Sequence, residues 1–318
     1  MSHVIGVDVG GTQMRAARFK ADLTMVGDPI KRESPHHQDE FLRALFQLIR
    51  DAIAARSGAV TGLGVALPGP IDHQTGMLIS PPNLPFKGET PIQRWLEEQF
   101  SEPVFLGNDA DLAALGEFQK GAGRGSRHMI YITVSTGVGG GVIIDGKLNT
   151  GQGLGGEVGH IVVEPDGPVC GCGHRGHLEA VSSGTAIANL ARARIAAGET
   201  SLIQALVDGK PENISASVVA EAGRRGDALA LDLLNQAGRY LGVAMASLMM
   251  LLNPERFVLG GGVMKSYDLL QPSIDKALGD YLMTPRFLRG TLIEQAQLGD
   301  DAGLYGAAAL ALLRLQES

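Results

Sequence analysis

Apolar and polar positions in this chain group into short runs that end in glycine. Val4-Ile5-Gly6-Val7-Asp8-Val9 is a strand-like run stopped by Gly10-Gly11-Thr12. Met14-Arg15-Ala16-Ala17-Arg18-Phe19 resumes the strand pattern, so the spacing predicts a hairpin with glycines in its turn. A Rossmann or P-loop unit would enter a helix here, and neither GxGxxG nor GKS/T stands at this turn. Phe41, Leu45, Leu48, Ile49 and Ile53 recur at helical spacing, predicting a helix over 39–57. Residues 61–67 read as a buried strand stopped by Pro68-Gly69-Pro70, and 91–100 as a short helix with proline at its start. Residues 104–106 read as a strand running into Gly107-Asn108-Asp109, followed by a helix over 111–121.

A similar pattern then recurs. Residues 129–134 read as a strand, 135–140 as a glycine turn and 141–144 as the returning strand. The two strand–glycine–strand units predict two similar lobes around a cleft. Helices are expected over 182–198, 215–253 and 303–315, and a strand over 257–259 ending in Gly260-Gly261-Gly262.

Composition narrows the classes. The 318 residues exceed what one core ordinarily supports, in keeping with two lobes. Hydrophobic residues at 44% and charged residues at 19% exclude a disordered chain. Lys and Arg number 27 against 34 Asp and Glu, a net charge of −7, which argues against a nucleic-acid surface. The longest apolar run, Tyr240 to Leu252, is 13 residues. A membrane span needs about 20, so a buried helix is expected and no membrane partner. The N-terminus has no basic segment and cleavage site of the secretory type, and a cytoplasmic location is expected.

Four constellations carry candidate chemistry. Asp8-Val9-Gly10-Gly11-Thr12 brings glycines whose N–H groups can face phosphate oxygens, a hydroxyl, and a carboxylate able to hold the water shell of Mg²⁺. Ser135-Thr136-Gly137-Val138-Gly139-Gly140-Gly141 is a second such cradle, and 260–262 adds glycines after a third strand; a nucleoside triphosphate needs wrapping from several sides. Asn108-Asp109-Ala110-Asp111 sits at a strand-to-helix junction. Asp109 there can accept a hydroxyl proton, while Asp109 and Asp111 equally suit a helix cap. His160, Cys170, Cys172 and His177 supply four nitrogen or sulfur donors, the number structural zinc takes, with His174 competing for the fourth place.

Taken in this order, DVGGT at 8–12, LPGP at 67–70, PPNLP at 81–85, NDAD at 108–111, STGVGGG at 135–141, GEVGH at 156–160 and CGCGHRGHLE at 170–179 resemble the ROK family of sugar kinases, in particular its glucokinase branch. The resemblance implies an α/β, actin-like ATPase (ribonuclease H-like) fold of two lobes. The small lobe would be 1–112 with the helix 303–318 packed back on it, the large lobe 113–302 with a zinc loop at 160–177. It implies an ATP-dependent hexokinase acting on the C6 hydroxyl of glucose. Alternatives are another sugar (mannose, fructose, N-acetylglucosamine or N-acetylmannosamine) or, less in keeping with a phosphate loop this close to the start, a sugar-responsive repressor.

Residue by residue, the resemblance makes Asp109 the catalytic base and Asn108, Gly69, Asn83, Glu157, His160 and Glu179 sugar contacts. Gly10, Gly11, Thr12 and Gln13 beside Asp8, then Thr136, Gly137 and Gly139, would take the phosphates, and Gly260, Gly261 and Gly262 the adenosine. Cofactors implied are ATP, Mg²⁺ and a structural Zn²⁺ on His160, Cys170, Cys172 and His177, and the assembly a homodimer or homotetramer. Where the family usually has a third cysteine, this chain has His177.

Overall fold

Thirteen strands and ten α-helices are found in a computed structural model that describes residues 2–79, 81 and 83–317. Pro82 of the PPNLP stretch, and Met1 and Ser318 at the ends of the expected small lobe, lie outside the described residues. The chain begins with β1 (His3–Val9), β2 (Gln13–Lys20) and β3 (Ile30–Glu33), then α1 (Gln38–Ala54) and β4 (Val60–Leu67). Short strands β5 (Ile71–Asp72), β6 (Met77–Ile79) and β7 (Glu89–Thr90) precede α2 (Ile92–Glu97), β8 (Val104–Asn108) and α3 (Asp109–Lys120). There follow β9 (Met129–Val134), β10 (Val138–Ile144) and β11 (Lys147–Leu148). The helices α4 (Leu178–Ser182), α5 (Gly184–Ala196), α6 (Leu202–Leu206), α7 (Ala216–Arg224) and α8 (Ala228–Leu252) come next. The chain closes with β12 (Arg256–Gly260), α9 (Tyr267–Tyr281), β13 (Leu292–Gln295) and α10 (Ala302–Glu317).

The sheet orders are β3-β2-β1-β4-β8 and β11-β10-β9-β12-β13. Numbered from each sheet's own first strand, both read 3-2-1-4-5, so the recurrence seen in the sequence extends to topology. Glycine turns open both units as expected: β1 and β2 pair antiparallel, and Gly10 N–H donates to the Gln13 carbonyl at 2.9 Å.

The chain divides into two compact units. One holds Met1–Tyr131, Gly141–Gly156 and Ala296–Ser318; the other holds Ile132–Gly140 and Glu157–Gln295. The expected lobes ended instead at 112 and 302. Residues 113–120 stay with the first unit because α3 packs on α10, with backbone directly against backbone at their glycines. A Cβ on Gly306 would stand 1.6 Å from the Leu112 carbonyl oxygen, and one on Gly116 2.3 Å from that of Ala302. Gly64 of β4 meets the Ala307 carbonyl at 1.8 Å by the same measure. In the first unit, α1 turns Phe41, Leu45, Leu48 and Ile49 onto one face of the sheet, and α10 covers the other with Leu304, Ala307, Ala308 and Ala311.

Of the expected helices, one starts later and one is broken. The helix expected over 182–198 runs unbroken from Gly184, after Ser183, whose side chain caps Ala186 N–H. The helix expected over 215–253 is interrupted at Arg225–Asp227, where Gly226 takes φ +82° and Asp227 caps Ala230 N–H at 2.8 Å. The apolar run 240–252 is the second half of α8 and is mostly buried, with Ser247, Met250 and Leu251 exposed. Among the described residues, no helix is long and apolar enough to cross a membrane.

Candidate functional site

In the first unit, β1, β4 and β8 run parallel and end side by side, with Asp8 opposite Ala66 and Leu67 opposite Asn108. Loops at the carboxyl ends of parallel strands are where α/β sheets take ligands. Ser34 fixes the turn after β1: its hydroxyl donates to the Gly10 carbonyl at 2.6 Å and its N–H to the Thr12 carbonyl at 2.9 Å. The Thr12 and Gln13 side chains stay exposed. Asn83 lies over Gly11, where a Cβ would come within 2.7 Å of the Asn83 carbonyl oxygen. Asp8 is held by Arg15, which also reaches Asp301 at 3.2 Å and the Asp300 carbonyl. Burial pushes the Asp8 carboxyl up, against the opposing pull of Arg15.

Asn108 resolves the capping question left open by the sequence. It is the N-cap of α3, its Oδ1 accepting from Ala110 N–H at 2.9 Å and Asp111 N–H at 3.2 Å. Its Nδ2 donates to the Gly69 carbonyl at 3.1 Å. Gly69 has φ +106°, a conformation only glycine adopts without strain. Asp109 is therefore the first residue of α3, half-buried, with Oδ1 2.8 Å from Ala110 N–H; Asp111 is buried in the helix.

In the second unit, the turn after β9 is tied from several sides. Ser135 N–H donates to Gly137 O at 2.8 Å, Gly184 N–H to Ser135 O at 2.7 Å, and Val138 N–H to Glu179 Oε2 at 3.0 Å. Strand β10 starts at Val138, so Gly139 lies in the strand rather than in the turn. A cavity of about 580 Å³ opens beside this turn, lined by Thr136, Thr185, Arg192, Ile214, Ala220 and Val263 among others. Gly262 also borders it. At Gly261, with φ +91°, a Cβ would stand 2.3 Å from the Val134 carbonyl oxygen. Gly260 is buried at the end of β12.

Four donor atoms, one each from His160, Cys170, Cys172 and His177, lie within 4.8 Å of one another. The loop that carries them is a knuckle: Cys170 N–H bonds His174 O at 2.7 Å, Gly173 N–H bonds Cys170 O at 2.9 Å, and Val162 bridges His177. The nitrogens His160 Nδ1 and His177 Nδ1 are 3.2 Å apart, Cys172 Sγ to His177 Nδ1 is 3.3 Å and Cys170 Sγ to His160 Nδ1 3.8 Å. A tetrahedral zinc with bonds of about 2.0–2.1 Å to nitrogen and 2.3 Å to sulfur sets these edges at about 3.3 and 3.6 Å. The donor set and spacing fit such an ion. His177 is in the cluster, whereas His174 is exposed and outside it. With Nδ1 turned inward, His160 presents Nε2 outward, 4.0 Å from Glu157. Burial pushes the Cys170 thiol up to about 11 and keeps His177 below the usual imidazole range.

The model of the ROK family matches residues 4–314. The chain belongs to the ROK family. Curated glucokinases from Halalkalibacterium halodurans and Thermotoga maritima are 38% and 35% identical to it, over 95% and 96% of this chain and 92% and 96% of theirs. A crystal structure of a ROK family glucokinase from Streptomyces griseus in complex with glucose and AMPPNP superposes with a TM-score of 0.83 at 34% identity, covering 97% of this chain and 99% of that one. The paired 3-2-1-4-5 sheets are thus those of the actin-like ATPase fold of ROK kinases.

The expected site residues of this ROK protein fall into two shares. Asp8, Gly10, Gly11, Thr12, Gln13, Gly69, Asn83, Asn108 and Asp109 belong to the first unit; Thr136, Gly137, Gly139, Glu157, His160, Glu179 and Gly260–Gly262 belong to the second. Sequence reasoning missed Arg15 and Ser34, which hold Asp8 and the first turn. Arg15 had a signal: it stands opposite Asp8 when the hairpin register is written out. Ser34 lies 22 residues after Thr12 and had none.

Proposed function

We propose that this ROK protein is an ATP-dependent hexokinase that phosphorylates the C6 hydroxyl of glucose. The observation that carries the reading is the position of Asp109, a half-buried carboxylate set at the carboxyl edge of a parallel sheet by the Asn108 cap. Its relatives named glucokinase, each matching nearly the whole chain, support glucose as the acceptor.

Asp109 accepts the proton of the C6 hydroxyl as that oxygen forms its bond to the γ-phosphorus. The bond from phosphorus to the bridging oxygen breaks, and ADP leaves. Asn108, Gly69, Asn83, Glu157, His160 and Glu179 orient the sugar. Positioning of this kind removes much of the barrier in phosphoryl transfer. The turns at Gly10–Gln13 and at Thr136, Gly137 and Gly139 cradle the phosphates, the first through N–H groups beyond that of Gly10, which Gln13 O already takes; Gly260–Gly262 receive the adenosine, with Gly262 bordering the cavity. Asp8, shared with Arg15, is the carboxylate that would hold the water shell of a phosphate-bound Mg²⁺, which would supply neutralisation of the charge on the transferred group.

His160 Nδ1, Cys170, Cys172 and His177 Nδ1 would hold zinc. Four protein donors would leave it no position for substrate, so its role would be structural, fixing His160 so that Nε2 could serve as a hydroxyl donor beside Glu157. Two thiolates balance the charge of Zn²⁺, where three would leave −1. We further place the protein in the cytoplasm as a homodimer or homotetramer. A coupled assay with Mg·ATP across glucose, mannose, fructose, N-acetylglucosamine and N-acetylmannosamine tests the reading. Glucose giving the highest kcat/KM supports it, and an acetamido sugar giving the highest overturns the acceptor.

A further inference from the structure

Glu179 is the second residue of α4, directly after the metal-ligand candidate His177 and Leu178. Its two carboxylate oxygens point to different partners. Oε1 lies 3.5 Å from Cys170 Sγ, and Oε2 accepts the N–H of Val138 at 3.0 Å, 41 residues away in the chain. Val138 is the residue that leads the 135–137 turn into β10. It is clamped on its other side as well, since a Cβ on Gly159 would stand 2.0 Å from the Val138 carbonyl oxygen. Gly137 is what lets the carboxylate in: a Cβ there would come within 2.3 Å of Glu179 Oε2. The same turn borders the 580 Å³ cavity through Ser135 and Thr136.

We propose that Glu179 is a positioning residue for the phosphate turn of the second unit, holding Val138 N–H so that the 135–139 backbone keeps the shape that receives the nucleotide. The inference rests on reading that turn as a phosphate cradle, and it gives Glu179 a role apart from any contact with sugar. One side chain then joins the Cys/His knuckle to the nucleotide side of the same unit. A turn without this tie has one buried N–H left to satisfy and a wider set of backbone conformations, and a nucleotide must order it on binding.

Calorimetric titration with Mg·AMP-PNP in the absence of sugar tests this, because a carboxylate that only binds sugar has no effect there. Glu179→Ala is expected to weaken binding about tenfold, the size of one lost hydrogen bond. Glu179→Gln, which keeps an oxygen for Val138 N–H, is expected to restore it to within about twofold. Gly137→Ala is expected to weaken binding by displacing the carboxylate. Combined with Glu179→Ala it is expected to add little, since the space is then vacant. Unchanged sugar-free binding in Glu179→Ala overturns the proposal while leaving the kinase reading intact. Full additivity of the Gly137→Ala and Glu179→Ala losses overturns it too. A wild-type protein that binds no Mg·AMP-PNP overturns the phosphate-cradle reading and this proposal with it.

Discussion

Asn108 donates its side-chain N–H to the carbonyl of Gly69 at 3.1 Å while its oxygen caps the helix that Asp109 begins. One amide therefore sets both the loop after β4 and the direction of the proposed base. Asp109→Asn keeps the shape and removes the basicity. It is expected to lower kcat by about 100- to 10,000-fold, with glucose binding still measurable by calorimetry. Activity near that of the unaltered protein would remove Asp109 from the role of base.

The metal prediction separates folding from chemistry. Purified protein is expected to carry about one equivalent of zinc, and His177→Ala to lose it. That variant is expected to melt at a lower temperature and to show a raised KM for glucose, because His160 and Glu157 lose their fixed frame. Elemental analysis gives the metal content and steady-state kinetics the KM. Less than half an equivalent in the unaltered protein, or an unchanged KM without metal, would count against the assignment.

Glu117 is fully buried and accepts three backbone N–H groups, from Ala122 at 2.8 Å, Gln297 at 3.1 Å and Leu298 at 2.7 Å. It fastens the segment that leads into α10. Glu117→Ala leaves the buried N–H of Ala122 and the more accessible N–H groups of Gln297 and Leu298 without this acceptor, and is expected to cost about 2 kcal/mol in urea unfolding. A cost below about 1 kcal/mol would show that water replaces the carboxylate.

His3 and His73 give a pH signature. Partial loss of hydration lowers the pKa of each, helped by the charge of Arg18 for His3 and of Arg314 for His73, although the His73 side chain is still exposed at the surface. A histidine with a folded pKa below its unfolded value of about 6.5 resists protonation in the folded state. Its contribution is complete above that value and is lost as pH falls below it. Unfolding free energy is expected to decline from pH 7 toward pH 5, with a shallower slope in His3→Gln/His73→Gln. An equal slope in the double variant would assign the decline to other groups.

Much of the site was legible because its signals are local. A glycine turn between two strand patterns announces a hairpin, and β1–β2 pairs in the register that the pattern requires. The knuckle was legible because the only two cysteines stand one residue apart among histidines. What stayed hidden depends on partners far along the chain. Nothing in Ser182–Gly198 shows that Gly184 N–H will donate to the Ser135 carbonyl and that the helix will start only there. The bond from Val138 to Glu179 is equally silent in sequence, as is the sharing of Arg15 between Asp8 and Asp301. The limits of the compact units depend on Gly116 and Gly306, whose meaning appears only when α3 and α10 lie against each other.

The last helix also bears on how the protein is made. The sheet begun by β1 has one face covered by α10, whose carbonyls lie directly on Gly6 and Gly64. During synthesis, strands β1 to β8 leave the ribosome long before residues 302–317 exist. Until those residues emerge, that face of the sheet stays uncovered and exposed to chaperones or to neighbouring nascent chains.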